Sequence, residues 1–263
     1  GGETVNQIEI NRRVARIVVG GWLTGWYIKW YFFYPYFTRT VYKYPLTHPL
    51  FPDLFLNPVF SSVAYFLPLI VIVALFSARK GVFCLAASVM VVCSALLSMH
   101  IDSYNDATFV ASFWVALWLL WFSRHMDRKD DSLPVQARRL AQCIIGMVFL
   151  GGFVGKLSMG YWNGDVIRNI FLSAKNSPIY WIFNVLSEPI RLLAVKCLSR
   201  AVIVGEGILA LSPWIPFKYV AAGSVIVFSA MIFFSTWRIL SVSSCLIGML
   251  LGCLLWDQAK GSK

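Results

Sequence analysis

Apolar residues dominate this chain in long runs, and polar residues gather in the short gaps between them. A helix crossing a bilayer needs about 20 mostly apolar residues. By that measure the pattern predicts spans at about 14–34, 58–77, 81–99, 106–123, 138–155, 199–215, 218–236 and 240–256. Pro68 falls inside the second and predicts a kink there. The sixth holds Glu206 and runs into Pro213 and Pro216. Between the fifth and sixth, residues 156–198 alternate polar positions with Val166, Ile167, Ile170, Phe171, Ile179, Trp181, Ile182 and Val185 at helical spacing. That pattern predicts interfacial or re-entrant helices in 156–198. The expected fold is all-α: a polytopic membrane helix bundle of about eight spans, forming a single domain over 1–263.

Composition agrees. Of 263 residues, 59% are hydrophobic and 13% charged, where soluble domains carry roughly 25% charged residues. Mean hydropathy is +0.69. The 11 Trp, many near segment ends, suit aromatic belts at the two membrane surfaces. The first dozen residues are polar, which leaves the first span as the expected targeting signal.

The net charge is +11. The basic residues are dispersed among short loops, which fits anionic membrane lipid as a partner and excludes a nucleic-acid patch. With the N-terminus in the cytoplasm, the cytoplasmic segments collect Arg12, Arg13, Arg79, Lys80, Arg124, Arg128, Lys129, Arg138, Arg139 and Lys218. The short loops then obey the positive-inside rule, with both termini inside. Six cysteines lie mostly in apolar runs without a CxxC pair and read as buried thiols. No metal-ligand spacing, phosphate-binding loop or dinucleotide fingerprint occurs, and no internal repeat suggests a transporter.

Lys156 is the position to explain. It ends the apolar run Gly-Met-Val-Phe-Leu-Gly-Gly-Phe-Val-Gly-Lys (146–156), and Tyr161-Trp162-Asn163-Gly164-Asp165 follows closely. An ionisable residue at membrane depth is costly and marks a functional candidate. Burial disfavours an ammonium, which is how a lysine comes to act as a base near neutrality. The expected desolvating wall is Phe153, Val154, Leu157 and Trp162. The simpler reading is a lysine whose head reaches the interface along its apolar stem.

Other candidates carry paired readings as well. Glu206, between Gly205 and Gly207, is either a proton relay or ion-pair partner, or a polar clamp between helices. Lys29 and Arg238 are further possible partners for an interior acid. Asn105 and Asp106 suit the N-cap of the fourth span, and a helix start also receives anions. His100 is the histidine nearest the polar region and can serve as a general acid or base, or simply be solvated. Tyr104 belongs to the rim, while Trp162 and Gly164 shape the loop that presents Lys156.

The order of these residues resembles a known family. Asn105 opens an aromatic helix, Gly-Phe-Val-Gly-Lys156-Leu follows about 50 residues later with Trp162 and Gly164, and Glu206 lies within a later span. The arrangement resembles the membrane domain shared by vitamin K-dependent gamma-glutamyl carboxylase and its bacterial relatives, the horizontally transferred transmembrane (HTTM) family. The resemblance covers roughly residues 14–256. It implies that Lys156 is the base that deprotonates a quinol such as vitamin K hydroquinone or menaquinol, with Asn105 assisting. The histidine that follows that asparagine in the carboxylase is Asp106 here, and the expected polar pattern of the seventh span reads Ser235-Thr236-Trp237-Arg238. No counterpart of the carboxylase's large luminal domain occurs within these residues. The size matches the shorter bacterial members that help mature secreted peptide toxins, which implies a bacterial inner membrane. The expected function is therefore lysine-base-assisted chemistry on a quinol-like cofactor or a secreted peptide at the non-cytoplasmic face. The alternative is a non-catalytic assembly factor, export partner or subunit beside other membrane subunits.

Overall fold

The computed structural model describes residues 2–30, 58–98, 108–128, 131–170, 178–234 and 240–261. Every element among them is helical. In chain order these are α1 (Gly2–Ile28), α2 (Pro58–Phe66), a 3-10 stretch (Leu67–Ile72), α3 (Val73–Phe76), α4 (Lys80–Ser98), α5 (Thr108–His125) and α6 (Leu133–Gly155). Then come α7 (Met159–Trp162), α8 (Asp165–Ile170), α9 (Pro178–Asn184), α10 (Glu188–Ala210), a 3-10 turn (Ser212–Trp214), α11 (Phe217–Phe234) and α12 (Leu240–Gly261).

Each expected span meets a helix, but eight spans are not supported. Among the described residues, three helices are long and apolar enough to cross a membrane: Lys80–Ser98, Leu133–Gly155 and Leu240–Asp257. The others fall short for identifiable reasons. Helix α1 begins with polar turns. The second segment loses its regular α-helix at Pro68, where the missing N–H breaks the ladder and a 3-10 stretch takes over. Helix α5 ends in Arg124-His125. Helix α10 carries Glu188, Arg191, Lys196, Arg200 and Glu206. The apolar part of α11, Phe217–Ile232, is too short. The three apolar helices are consistent with a membrane protein, and so are the outward-facing apolar side chains. Phe76 is 84% exposed, and Leu85, Val204 and Ile226 are each more than half exposed. Apolar surface of that extent marks an interaction face rather than a solvated one.

The 156–198 stretch does contain short helices, but its last part is the start of α10. That helix begins eleven residues before the expected sixth span. Pro189 sits in its first turn, where a proline costs no hydrogen bond.

The chain divides into two compact units, one of Gly1–Ala141 with Ser241–Lys263 and one of Gln142–Leu240. The boundary falls inside α6, so no Pro- or Gly-rich linker announces it. In the first unit, Val14, Ala15, Val18, Val19, Trp22, Leu23 and Trp26 form one buried helical stripe on α1. Glycines let α1 approach α12 closely: a Cβ on Gly21 would lie 2.8 Å from the Gly248 Cα, and one on Gly25 would lie 2.3 Å from the Ser241 carbonyl oxygen.

The tryptophans occupy two settings: Trp22, Trp26, Trp118 and Trp256 are buried in the core, while Trp30, Trp162, Trp181 and Trp214 are exposed. Each buried indole N–H is satisfied: Trp22 donates to the Ser112 carbonyl (2.8 Å), Trp26 to that of Tyr65 (2.9 Å), Trp118 to that of Ala137 (2.9 Å) and Trp256 to Asn11 Oδ1 (3.0 Å). A paired indole loses its reason to stay at a wet interface. The thiols divide: Cys93, Cys245 and Cys253 are buried, whereas Cys143 and Cys197 are exposed.

Candidate functional site

The second unit contains the residues of interest. Helix α6 ends at Gly155, and the Lys156 N–H still bonds back to the Gly152 (3.2 Å) and Phe153 (3.0 Å) carbonyls. The side chain therefore leaves the last turn of the helix. Its Nζ donates to both oxygens of Glu206, at 2.9 Å to Oε1 and 2.8 Å to Oε2. A third, longer contact reaches the Gly152 carbonyl at 3.5 Å.

Glycine makes the pair possible. A Cβ on Gly152 would sit 2.9 Å from Glu206 Oε2, so the bare backbone leaves the space that the carboxylate fills. Across the same contact, a Cβ on Gly207 would meet the Phe153 ring at 3.1 Å. Carboxylate and phenyl ring thus each occupy a gap left by a glycine on the opposite helix. One turn away, Gly146 faces the Ala210 carbonyl, and Gln142 Nε2 donates to the Ser212 and Ile215 carbonyls at 3.1 and 2.5 Å.

The pair is asymmetric. Glu206 has 4% of its side chain exposed and Lys156 has 20%. The carboxylate side chain is sealed, while part of the lysine side chain is exposed. A carboxylate removed from water needs a partner of opposite charge, and the lysine is that partner.

The expected desolvating wall is corrected. Val154 and Leu157 are more than half exposed, and Trp162 is 43% exposed. Lys156 is covered instead from the side of Glu206 and Gly152, and its Nζ lies 5.9 Å from the centre of the Tyr161 ring.

The loop after Lys156 is tied down residue by residue. Ser158 caps α7 by accepting from the Tyr161 N–H. Ser199 Oγ donates to the Tyr161 carbonyl. Arg200 Nε donates to the Trp162 carbonyl at 3.3 Å, and its guanidinium stacks 4.6 Å from the Trp162 ring centre. Gly164 has φ of +83°, and a Cβ there would lie 3.1 Å from both the Lys196 nitrogen and Val195 Cγ1. Only a glycine suits that left-handed, crowded position. Behind the loop, Ile167, Ile179, Phe183 and Val195 form a small buried cluster.

Lys156 and Glu206 are therefore brought together where the end of α6 meets the last part of α10, whereas Trp162 and Gly164 pack further back along α10, against Arg200 and against Val195 and Lys196. His100, Tyr104, Asn105 and Asp106 lie outside the described residues, as does Arg238. Lys29 is buried in the first unit. Four contributors were not anticipated: Gln142, Tyr161, Ser199 and Arg200. A readable signal existed for two of them, since Ser199 and Glu206 fall on one helical face once α10 is extended back to Glu188, with Arg200 beside them. No group of three or more possible metal ligands occurs among the described residues. The chain matches no known family model, no curated protein and no solved structure.

Proposed function

We propose that the chain is a multi-pass membrane protein in which Lys156 and Glu206 form a proton-handling pair. It acts on a weak acid delivered from the bilayer or its outer surface: a quinol-class cofactor, or a secreted peptide. In this reading the remaining helices complete a bundle of about eight spans with both termini in the cytoplasm, in the manner of the HTTM family.

One observation carries the proposal: a bidentate lysine–carboxylate pair in which the carboxylate is sealed and the lysine side chain is partly exposed. A weak acid R–OH meeting Lys156 can give its proton to the pair. The pair then holds two protons, as ammonium and carboxylic acid, and the new R–O⁻ rests beside the ammonium. Charge is conserved, and the oxyanion is stabilised electrostatically in a place with little water. Glu206 stores the proton and Lys156 presents the charge. The Tyr161–Trp162 loop, held by Ser199 and Arg200, fixes the approach.

A second reading has its own support. Gly152 and Gly207 fit the pair and its neighbouring ring so closely that the contact also suits a structural clamp in a non-catalytic membrane subunit. Mass spectrometry of lipids and quinones copurifying with wild type and with Lys156→Ala separates the two. The proton-handling reading expects a quinol or quinone in the wild type, and its loss from a variant that still folds and expresses. A variant that misfolds, or one that keeps the same bound molecules, supports the clamp.

A further inference from the structure

We infer that the first unit carries a binding site for one anionic phospholipid, formed by Arg12 and Arg16 on α1 with Arg79 and Lys80 at the start of α4. The inference needs only a membrane setting and does not rest on the reading of Lys156.

Arg12 and Arg16 are one helical turn apart and share a face of α1. Arg16 Nη2 donates to the Ser77 carbonyl at 3.0 Å, which joins it to the turn between α3 and α4. Ser77 Oγ in turn accepts from the Arg79 N–H at 3.1 Å, so Arg79 and Lys80 follow directly. Arg12 reaches toward Asp127 at 3.9 Å, and Glu9 lies 3.5 Å from Arg13 and 3.7 Å from Arg16. Five cations, Arg13 included, thus meet two carboxylates. The excess calls for an anion.

The guanidinium hydrogen bonds point the same way. The Nε atoms of both Arg12 and Arg16 are buried and have no hydrogen-bond partner. A buried donor without an acceptor is destabilising, and a charged one more so. Both side chains nevertheless remain about one-third exposed, at 29% and 31%. A phosphate at this edge would meet the exposed part of both guanidinium side chains, planar groups that suit it geometrically, and its charge would offset the buried donors beneath.

The surroundings select a lipid over free phosphate. Val73 and Phe76, on the turn just before Ser77, are 59% and 84% exposed. Ile70 and Leu69 extend the same apolar surface away from the cations. An exposed phenylalanine one residue from a basic turn matches an amphiphile: acyl chain along the α2–α3 segment, headgroup among the arginines.

The test uses the full chain in detergent, titrated with a short-chain phosphatidylglycerol, the matching phosphatidylcholine, or inorganic phosphate alone, with binding read by native mass spectrometry and thermal midpoint. The inference expects saturable phosphatidylglycerol binding, weakened about fivefold by each of Arg12→Gln and Arg16→Gln. It expects no such loss with Arg13→Gln, whose side chain is 66% exposed. Phe76→Ala provides a variant that leaves the core untouched, and it should weaken phosphatidylglycerol alone. Equal binding of phosphatidylcholine would overturn the inference, as would equal potency of inorganic phosphate. So would a phosphatidylglycerol response unchanged in Arg16→Gln or in Phe76→Ala.

Discussion

Removing either half of the Lys156–Glu206 pair should cost different amounts, because burial of the two halves differs. Lys156→Met leaves a carboxylate with 4% of its side chain exposed and no donor from the lysine. Removing one partner of a buried pair costs about 3 kcal/mol at the low end, because the remaining group must be protonated or left uncompensated. Glu206→Gln leaves an amine that is already 20% exposed, on a flexible stem that can swing toward water. The amide oxygen can still accept one hydrogen bond, so the loss should be about 1 kcal/mol. At about 3 °C per kcal/mol, the midpoint should fall by about 9 °C for Lys156→Met and about 3 °C for Glu206→Gln. The double variant Lys156→Met/Glu206→Gln should lose less than the two singles combined, since neither charge is then left behind. Thermal unfolding in a mild detergent, followed by tryptophan fluorescence, measures all four proteins. Equal losses for the two singles, or a double variant at their sum, would show that the pair is not an isolated buried contact and would refute the reasoning.

Two further outcomes follow from backbone crowding. Gly25→Ala should sharply reduce folded protein, by about 3 kcal/mol or more, because its Cβ would lie 2.3 Å from the Ser241 carbonyl oxygen and backbone cannot yield as a side chain can; size-exclusion chromatography and the thermal midpoint read this directly. Gly164→Ala should lower the midpoint by a few degrees, about 1–2 kcal/mol, through its positive φ, and limited proteolysis should then cut first in the 158–164 loop.

Hydropathy located helices well because helix formation and apolar content coincide in most of this chain. It misjudged α10, where Arg191 and Lys196 break the apolar run without breaking the helix; a charged residue on an outward face costs a helix little. It did not single out the tryptophans that enter the core, because sequence shows an indole but not the carbonyl that satisfies it. Lys156 and Glu206 stood out individually, as lone charges in apolar surroundings do, and their pairing was among the options. What could not be read was the registry that brings residue 156 to residue 206. That depends on glycines at 146, 152 and 207, whose role appears only when the opposing side chains are known. Gln142 stayed hidden for the same reason, since its partners are the backbone carbonyls of Ser212 and Ile215.

The central claim is that the pair takes up a proton when a weak acid binds, and infrared difference spectroscopy observes this directly. On adding a soluble short-chain quinol to the purified protein, the account predicts a new protonated-carboxyl band. That band should vanish in Glu206→Gln and be lost or displaced in Lys156→Met. A wild-type spectrum without such a band, or the same band persisting in Glu206→Gln, would contradict the account.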